Sequence, residues 1–310
     1  MQHNLMRFCD LHTHSLRSDG TLDPLSLLKL AEDENLKYLA LTDHNRLISS
    51  AEFSEFCRAA VNLTLIPGAE FSAIYKPDDW DEDRGGIEIH IVVLGYTPGK
   101  CPFLQAIADQ NNADRKDYVE QILCRLRNCG FKDIGSYEDL RRSFPDTGHI
   151  GRMTIAKHMV NNGYVRTVDE AFYLYLGTHG ERRAYVKSRI KYASFEDVIR
   201  AAVKDKAVPV LAHLFYYSDL TEVQQESLVK RFREAVGLDA PAGLEVFYGL
   251  YCKNPDMIST LQFLSQKYNL IPSCGSDFHG QDEDDALGRF PVSVCEKLLV
   301  ELRNYYDVGK

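Results

Sequence analysis

Short apolar runs alternate with longer amphipathic stretches over the first hundred residues of the chain. "MRFCDLHTH" reads as a strand. "TLDPLSLLKLAEDEN" reads as a helix with Asp23 as N-cap, Pro24 at its first position and Asn35 near its stop. "LKYLALTDH" is a second strand, and in the helical "SSAEFSEFCRAAV" Phe53, Phe56, Cys57 and Ala60 share one face. "LTLIPGAEFSA" and "IEIHIVVLGY" are further strands. Runs such as "YLALT" and "IHIVVLGY" are apolar at consecutive positions, as in strands covered by helices on both faces. The pattern predicts βα units and a mostly parallel sheet.

From Pro102 to about Gly180 the periodicity is helical throughout. The stops at Gly130, Gly163 and Gly177 and the capping boxes Ser136–Asp139 and Thr167–Glu170 delimit the helices. Alternation returns with "SFEDVIRAAVKDK", "AVPVLAH", "AGLEVFYG", a helix from "NPDMISTLQFL" and the strand "LIPSCGSDFHG". The expected organisation is an α/β domain built from 1–100 and 188–310, interrupted by a small helical domain, 101–187. The loop "YKPDDWDEDRGG", Tyr75 to Gly86, carries the only tryptophan, Trp80, and reads as a solvated hairpin arm.

With 45% apolar and 26% charged residues the 310-residue chain is globular rather than disordered. No apolar run approaches the ~20 residues that span a bilayer. The N-terminus lacks the pattern of a signal peptide, and the eight cysteines form no CxxC pair. Both point to free thiols in a reducing cytoplasm. A formal charge of −9 argues against a stable complex with long nucleic acid, but is compatible with a small anionic substrate held through metal ions.

The unexpected polar residues then stand out. His12 and His14 close the first strand, with Asp19 in the loop beyond. His44 follows the second strand in "LTDHN". Glu70 lies in "IPGAEFS", His90 in "IEIHIVV", His213 in "VLAHLF", and Asp277 and His279 in "GSDFHG". Residues two apart in a strand point to one face, ~6.6–6.8 Å apart, so His12/His14 and Asp277/His279 each form a two-pronged claw. In βα barrels the C-terminal strand ends converge on one mouth, where active sites are built. Six of the ten histidines and three carboxylates gathered there make an N/O ligand set suited to Zn, Mn or Fe, with enough groups for more than one ion. Taken singly, each histidine reads as a hydrogen-bonded side chain; the repetition is what points to metal. His3, His149, His158 and His179 stay outside the set.

"DLHTHSLRSDG", "LTDHN", "GAEFS", "IHIVVLGY", "LAH" and "GSDFH" resemble, in order and spacing, the motifs of the PHP (polymerase and histidinol phosphatase) phosphoesterases, over roughly Arg7 to Phe290. The insertion, with "HIGRMTIAKHMVNNGYV", "EAFYLYLG" and "AYVKS", is similar to that of the branch acting on nucleoside 3′,5′-bisphosphates and the 5′ ends of short RNA. The resemblance implies a distorted (β/α)7 barrel with an inserted helical domain and a trinuclear metal centre. It assigns His12, His14, Glu70 and Asp277 to one ion. Glu70, His90 and His213 would hold a second, and Asp19, His44 and His279 a third. It puts the catalytic weight on Glu70, Asp277 and His213, and gives substrate phosphate to Arg152 and Lys187. Met153 and Thr154 stand where the family has Pro-His, and Leu214 where it has Pro, departures that bear on the substrate.

Bridged ions lower the pKa of bound water to about 7, giving hydroxide, neutralise phosphoryl oxygens and align in-line attack, so no protein nucleophile is needed. Ser273 and Ser276 read as turn residues. Glu70 is the natural bridge, and Asp10 and Asp43 are placed to orient imidazoles. Phe172, Tyr173 and Tyr175 either stack a base or fill a core. The other functions left open are a histidinol-phosphate phosphatase, a metal-dependent amidohydrolase and a non-catalytic metal-stabilised module.

Overall fold

The computed structural model describes residues 7–80, 86–145, 150–186, 192–280 and 286–306, and the side chains of the last span as far as 303. Contacts divide the chain into two compact units, Met1–Ala108 with Ala193–Lys310, and Asp109–Tyr192.

The first unit is a barrel. Its strands are β1 (Phe8–Thr13), β2 (Leu36–Leu41), β3 (Thr64–Tyr75), β4 (Ile87–Leu94), β5 (Val208–Leu211), β6 (Gly243–Tyr248), β7 (Ile271–Gly275) and the short β8 (Phe290–Pro291). They pair in the order β7-β6-β5-β4-β3-β2-β1-β8. Closure comes from the two ends of the chain. Asp277 N–H donates to the His12 carbonyl at 2.9 Å and His14 N–H to the Phe278 carbonyl at 2.8 Å, so the end of β7 zips onto β1.

The sheet is less parallel than the alternation predicts. β4 runs antiparallel to both β3 and β5. The cause is the connection: β3 ends at Tyr75 and β4 begins at Ile87, too close for the crossover of a dozen or more residues that a parallel pair needs. The reversed strand brings its N-terminal half, not its C-terminal end, to the mouth. That is how His90 arrives there. The eighth strand is also additional to the expected seven.

Helices α1 (Pro24–Asp33), α2 (Ser50–Ala59), α7 (Phe195–Lys204), α8 (Glu222–Val236), α9 (Pro255–Lys267) and α10 (Glu296–Tyr306) belong to the first unit. α3 (Pro102–Asn128) starts there and continues into the second, which holds α4 (Tyr137–Ser143), α5 (Arg152–Asn161) and α6 (Val168–Ala171). Asp23 caps α1 by accepting from Leu25 and Ser26 N–H, with Pro24 at the first position. Apolar side chains of β1, β2, β4, β5 and β7, such as Leu11, Ala40, Leu94 and Val210, share a core with Leu298, Leu299 and Leu302 of α10. The thiols of Cys9, Cys274 and Cys295 lie within it, 3.1–3.5 Å from one another. All eight cysteines are free. The second unit has its own core, in which Val119, Ile122 and Leu126 of α3 meet Ile155 and Met159 of α5. Tyr175 is buried in that unit on a π-helical turn, Phe172–Leu176, while Tyr173 is exposed.

The described part of the loop after Tyr75 is solvated as expected at Lys76, Asp78 and Asp79, but it is also docked. Arg231 of α8 donates to the Lys76 carbonyl at 2.8 Å and to Asp78 at 3.1 Å, Gln224 donates to Asp79, and Trp80 packs on the core. Residues 81–85 of that loop lie outside the described residues. No helix of the described residues is long and apolar enough to cross a membrane.

Candidate metal centre

β1 carries His12 and His14 to the barrel mouth, and the loop beyond it supplies Asp19. His44 lies just past β2, Glu70 within β3, His90 within β4, His213 just past β5, and Asp277 and His279 past β7. The structure brings all nine together. Glu70 is fully buried at the centre. Its Oε1 lies 3.3 Å from His12 Nε2, 3.0 Å from His90 Nδ1 and 3.2 Å from His213 Nε2. Its Oε2 lies 3.2 Å from His14 Nε2 and 3.0 Å from His44 Nδ1. Five imidazoles therefore surround one carboxylate.

Three ligand-like groups overlap on this hub. His12, His14, Glu70 and Asp277 form one, and His14, Asp19, His44 and His279 another; within each the donor atoms lie within 4.8 Å of one another. The third links Glu70 to His90, with His44 on one side and His213, 3.3 Å from His90, on the other. Nε2 of His12 and His14, Oε2 of Glu70 and Oδ1 of Asp277 are buried and make no well-formed hydrogen bond. Convergent, buried and mixed imidazole–carboxylate, this donor set fits divalent cations.

The non-converging nitrogens of His12, His14 and His279 are held elsewhere, which fixes their tautomers. His12 Nδ1–H donates to Glu245 at 3.0 Å. His14 Nδ1–H donates to Ser18 Oγ at 3.2 Å, and that hydroxyl donates to Asp43 at 2.8 Å. Asp43 thus orients an imidazole, but through a serine. His279 Nδ1–H donates to the Asp277 carbonyl at 2.7 Å, and His90 Nε2 lies 3.5 Å from Glu88. Asp10 plays a different part from the one expected. It accepts from the N–H groups of His12, Ser276 and Gly288, so it binds the closing seam rather than a ring. Ser276 belongs to that seam, but Ser273 is a strand residue of β7, not a turn residue.

Burial alone would raise the carboxylate pKa values, yet the imidazoles of His90, His12 and His44 hold Glu70 well below its ordinary range. Burial likewise pulls His14 down, and the adjacent carboxylates of Asp277 and Glu70 reverse that pull and raise it to about 10. The backbone is strained at two of the nine: His213 has φ 27° and Asp277 φ 59°. Left-handed non-glycine residues cost of order 1–3 kcal/mol and persist where their surroundings over-determine them.

Three residues that orient this centre were not singled out in the sequence. Glu245 of β6 is buried against His12. Tyr217 Oη accepts from His90 N–H at 2.8 Å and donates to the Ala212 carbonyl. Tyr248 Oη donates to Asp277 at 3.1 Å. A cleft lined by Tyr248, Lys253, Asp277 and His279 opens beside the centre. Arg152 opens α5 in the second unit, half-buried, with Nη1 donating to the Leu176 carbonyl. Lys187 lies outside the described residues.

Barrel and donor set together define a metal-dependent hydrolase. The chain matches the PHP domain over residues 10–237 and belongs to that family, a phosphoesterase among hydrolases. It is 30% identical over 274 residues, 88% of each chain, to a 3′,5′-nucleoside bisphosphate phosphatase of Chromobacterium violaceum. It is also 30% identical over 271 residues, 87% of this chain and 89% of the other, to a 5′-3′ exoribonuclease of Haemophilus influenzae. A solved structure described as an amidohydrolase from Chromobacterium violaceum, with bound sulfate and no metal, matches with TM-score 0.71 at 27% identity, covering 96% of both chains.

Proposed function

We propose that this phosphoesterase acts on nucleotides, removing the 3′-phosphate of nucleoside 3′,5′-bisphosphates and hydrolysing short RNA from its 5′ end. The observation that carries the proposal is the hub of five imidazoles on the buried Glu70, read with the two relatives above. His12, His14, Glu70 and Asp277 would hold one divalent ion, Glu70, His90 and His213 a second, and Asp19, His44 and His279 a third. Manganese, iron and zinc suit such a donor set. The ions, when bound, supply an activated water and neutralise phosphoryl charge.

The chain's own residues do the rest. Glu70, an acceptor with two oxygens, can serve two ions at once, which an imidazole cannot. Asp277 is steered by the Tyr248 hydroxyl, so one oxygen stays directed at His12 and His14. Tyr217 ties β4 to the end of β5, fixing the spacing of His90 and His213. Arg152 and Lys187 have the chemistry of a phosphate clamp, a bidentate fork and a point charge. Free thiols throughout favour a cytoplasmic setting.

The test is phosphate release from adenosine 3′,5′-bisphosphate, 5′-AMP, oligoribonucleotides and histidinol phosphate, with an amide substrate alongside. Release from the bisphosphate or RNA supports the proposal. Turnover confined to histidinol phosphate or to the amide replaces it.

A further inference from the structure

Glu245 is a carboxylate in an otherwise apolar strand, between Leu244 and Val246, and it is 2% exposed. A buried carboxylate costs several kcal/mol in desolvation unless its oxygens are well used. Among the described residues no lysine or arginine pairs with it. Oε1 accepts from His12 Nδ1–H at 3.0 Å, and Oε2 accepts from the backbone N–H of His213 at 2.8 Å. Support for the turned backbone of His213 alone would occupy one oxygen. The other is spent on the ring of His12, whose opposite nitrogen faces Glu70 and Asp277. A carboxylate only accepts, so it keeps the His12 proton on Nδ1 and leaves the Nε2 lone pair facing the centre.

A second feature points the same way. Gly275 of β7 is not left-handed, so its backbone does not call for glycine. Space does. A Cβ there would fall 2.2 Å from His12 Cβ and 2.5 Å from Glu245 Oε1. Any side chain at this position would drive the imidazole and the carboxylate apart.

We propose that Glu245 is a positioning residue that sets ligands of two different ions, His12 for one and His213 for the other, and that Gly275 is the gap through which it reaches His12. The two oxygens belong to one rigid group, so a shift at one ligand is passed to the other. This rests on the ion assignments proposed above.

The experiment is titration of the metal-free protein with Co²⁺, read by visible absorption and calorimetry. It compares the wild type with Glu245→Gln and Gly275→Ala. The glutamine keeps the shape. With its oxygen on His213 N–H, its NH₂ meets His12 Nδ1–H, donor against donor. Expected is a loss of about 10- to 100-fold in affinity at the two positions served by His12 and His213. The position of Asp19, His44 and His279 stays within about twofold of wild type. Gly275→Ala should give the same pattern, and the double variant should be little worse than either single one. Unchanged affinities, or equal losses at all three positions, overturn the inference. If Glu245→Gln fails to fold, Glu245→Asp, with the charge kept and the reach shortened, takes its place under the same criteria. A wild type that binds fewer than three ions would sink the ion assignments instead, whatever the variants do.

Discussion

Replacing Glu70 by glutamine removes one charge from the middle of the centre with almost no change in volume. Both oxygens are fully buried and stand 3.0–3.3 Å from five imidazole nitrogens. At such a separation a pair of unit charges interacts by about 5 kcal/mol at an effective dielectric of about 20. Breaking a buried charge pair from one side costs about 3–5 kcal/mol in practice. The two values agree, so the smaller end is a fair floor for each ion that Glu70 serves. At about 1.4 kcal/mol per decade, divalent-ion affinity should fall by about two decades or more at each of those two positions. The assay is elemental analysis after dialysis against limiting metal, with phosphate release measured on the same samples. Wild type should retain three ions and Glu70→Gln one, with phosphate release falling at least a hundredfold. A variant that keeps all three ions at wild-type affinity would refute the bridging role and the electrostatic argument behind it. Cooperative melting of the metal-free variant separates loss of ions from loss of fold.

Other outcomes follow from the same geometry. In metal-free protein a protonated His14 contributes stability that is complete below its ordinary value of 6.5 and is lost as pH rises through about 10. That is on the order of 5 kcal/mol from this group, visible in urea denaturation of chelated protein at a series of pH values. An apoprotein no less stable at pH 10 than at pH 6.5 would refute it. For the same reason metal uptake near pH 7 should release protons, which calorimetry in buffers of different ionisation enthalpy will detect. Asp10→Asn should destabilise the seam by about 1–3 kcal/mol for each N–H left without an acceptor, measured as a lower melting temperature. Arg152→Ala should raise KM for a nucleoside bisphosphate about 10- to 100-fold, the worth of a lost charge-assisted phosphate contact, and an unchanged KM removes Arg152 from the clamp.

The nine convergent residues were legible because imidazoles and carboxylates in or just beyond apolar strands violate the pattern of those strands. "HTH" and "SDFH" have no place in an apolar core. Glu245 was not legible for the opposite reason. One carboxylate in "GLEVFYG" is what any half-exposed strand would show, and only the fold reveals that this face is turned inward. Asp43 was recognised as an orienting group, but the intervening Ser18 was not, since a serine in a loop carries no signal of its own. The direction of β4 depended on a connection too short for a crossover, and local periodicity says nothing about strand polarity. His90 was therefore found for the right residue type and placed at the wrong end of its strand. The docking of the arm before Trp80 was not legible because its partner, Arg231, lies 153 positions from Asp78.

The barrel is shut by backbone contacts between residues 12–14 and 277–278. A ribosome makes the chain from one end, so His12 and His14 emerge early and wait through some 260 further residues for Asp277 and His279. Until Asp277 and His279 clear the exit tunnel, the first claw has no partner. A truncated product of interrupted translation would carry part of the donor set without the enclosure that makes it selective. Hydrolytic competence therefore belongs to chains that extend past His279, a safeguard that follows from where the seam was put.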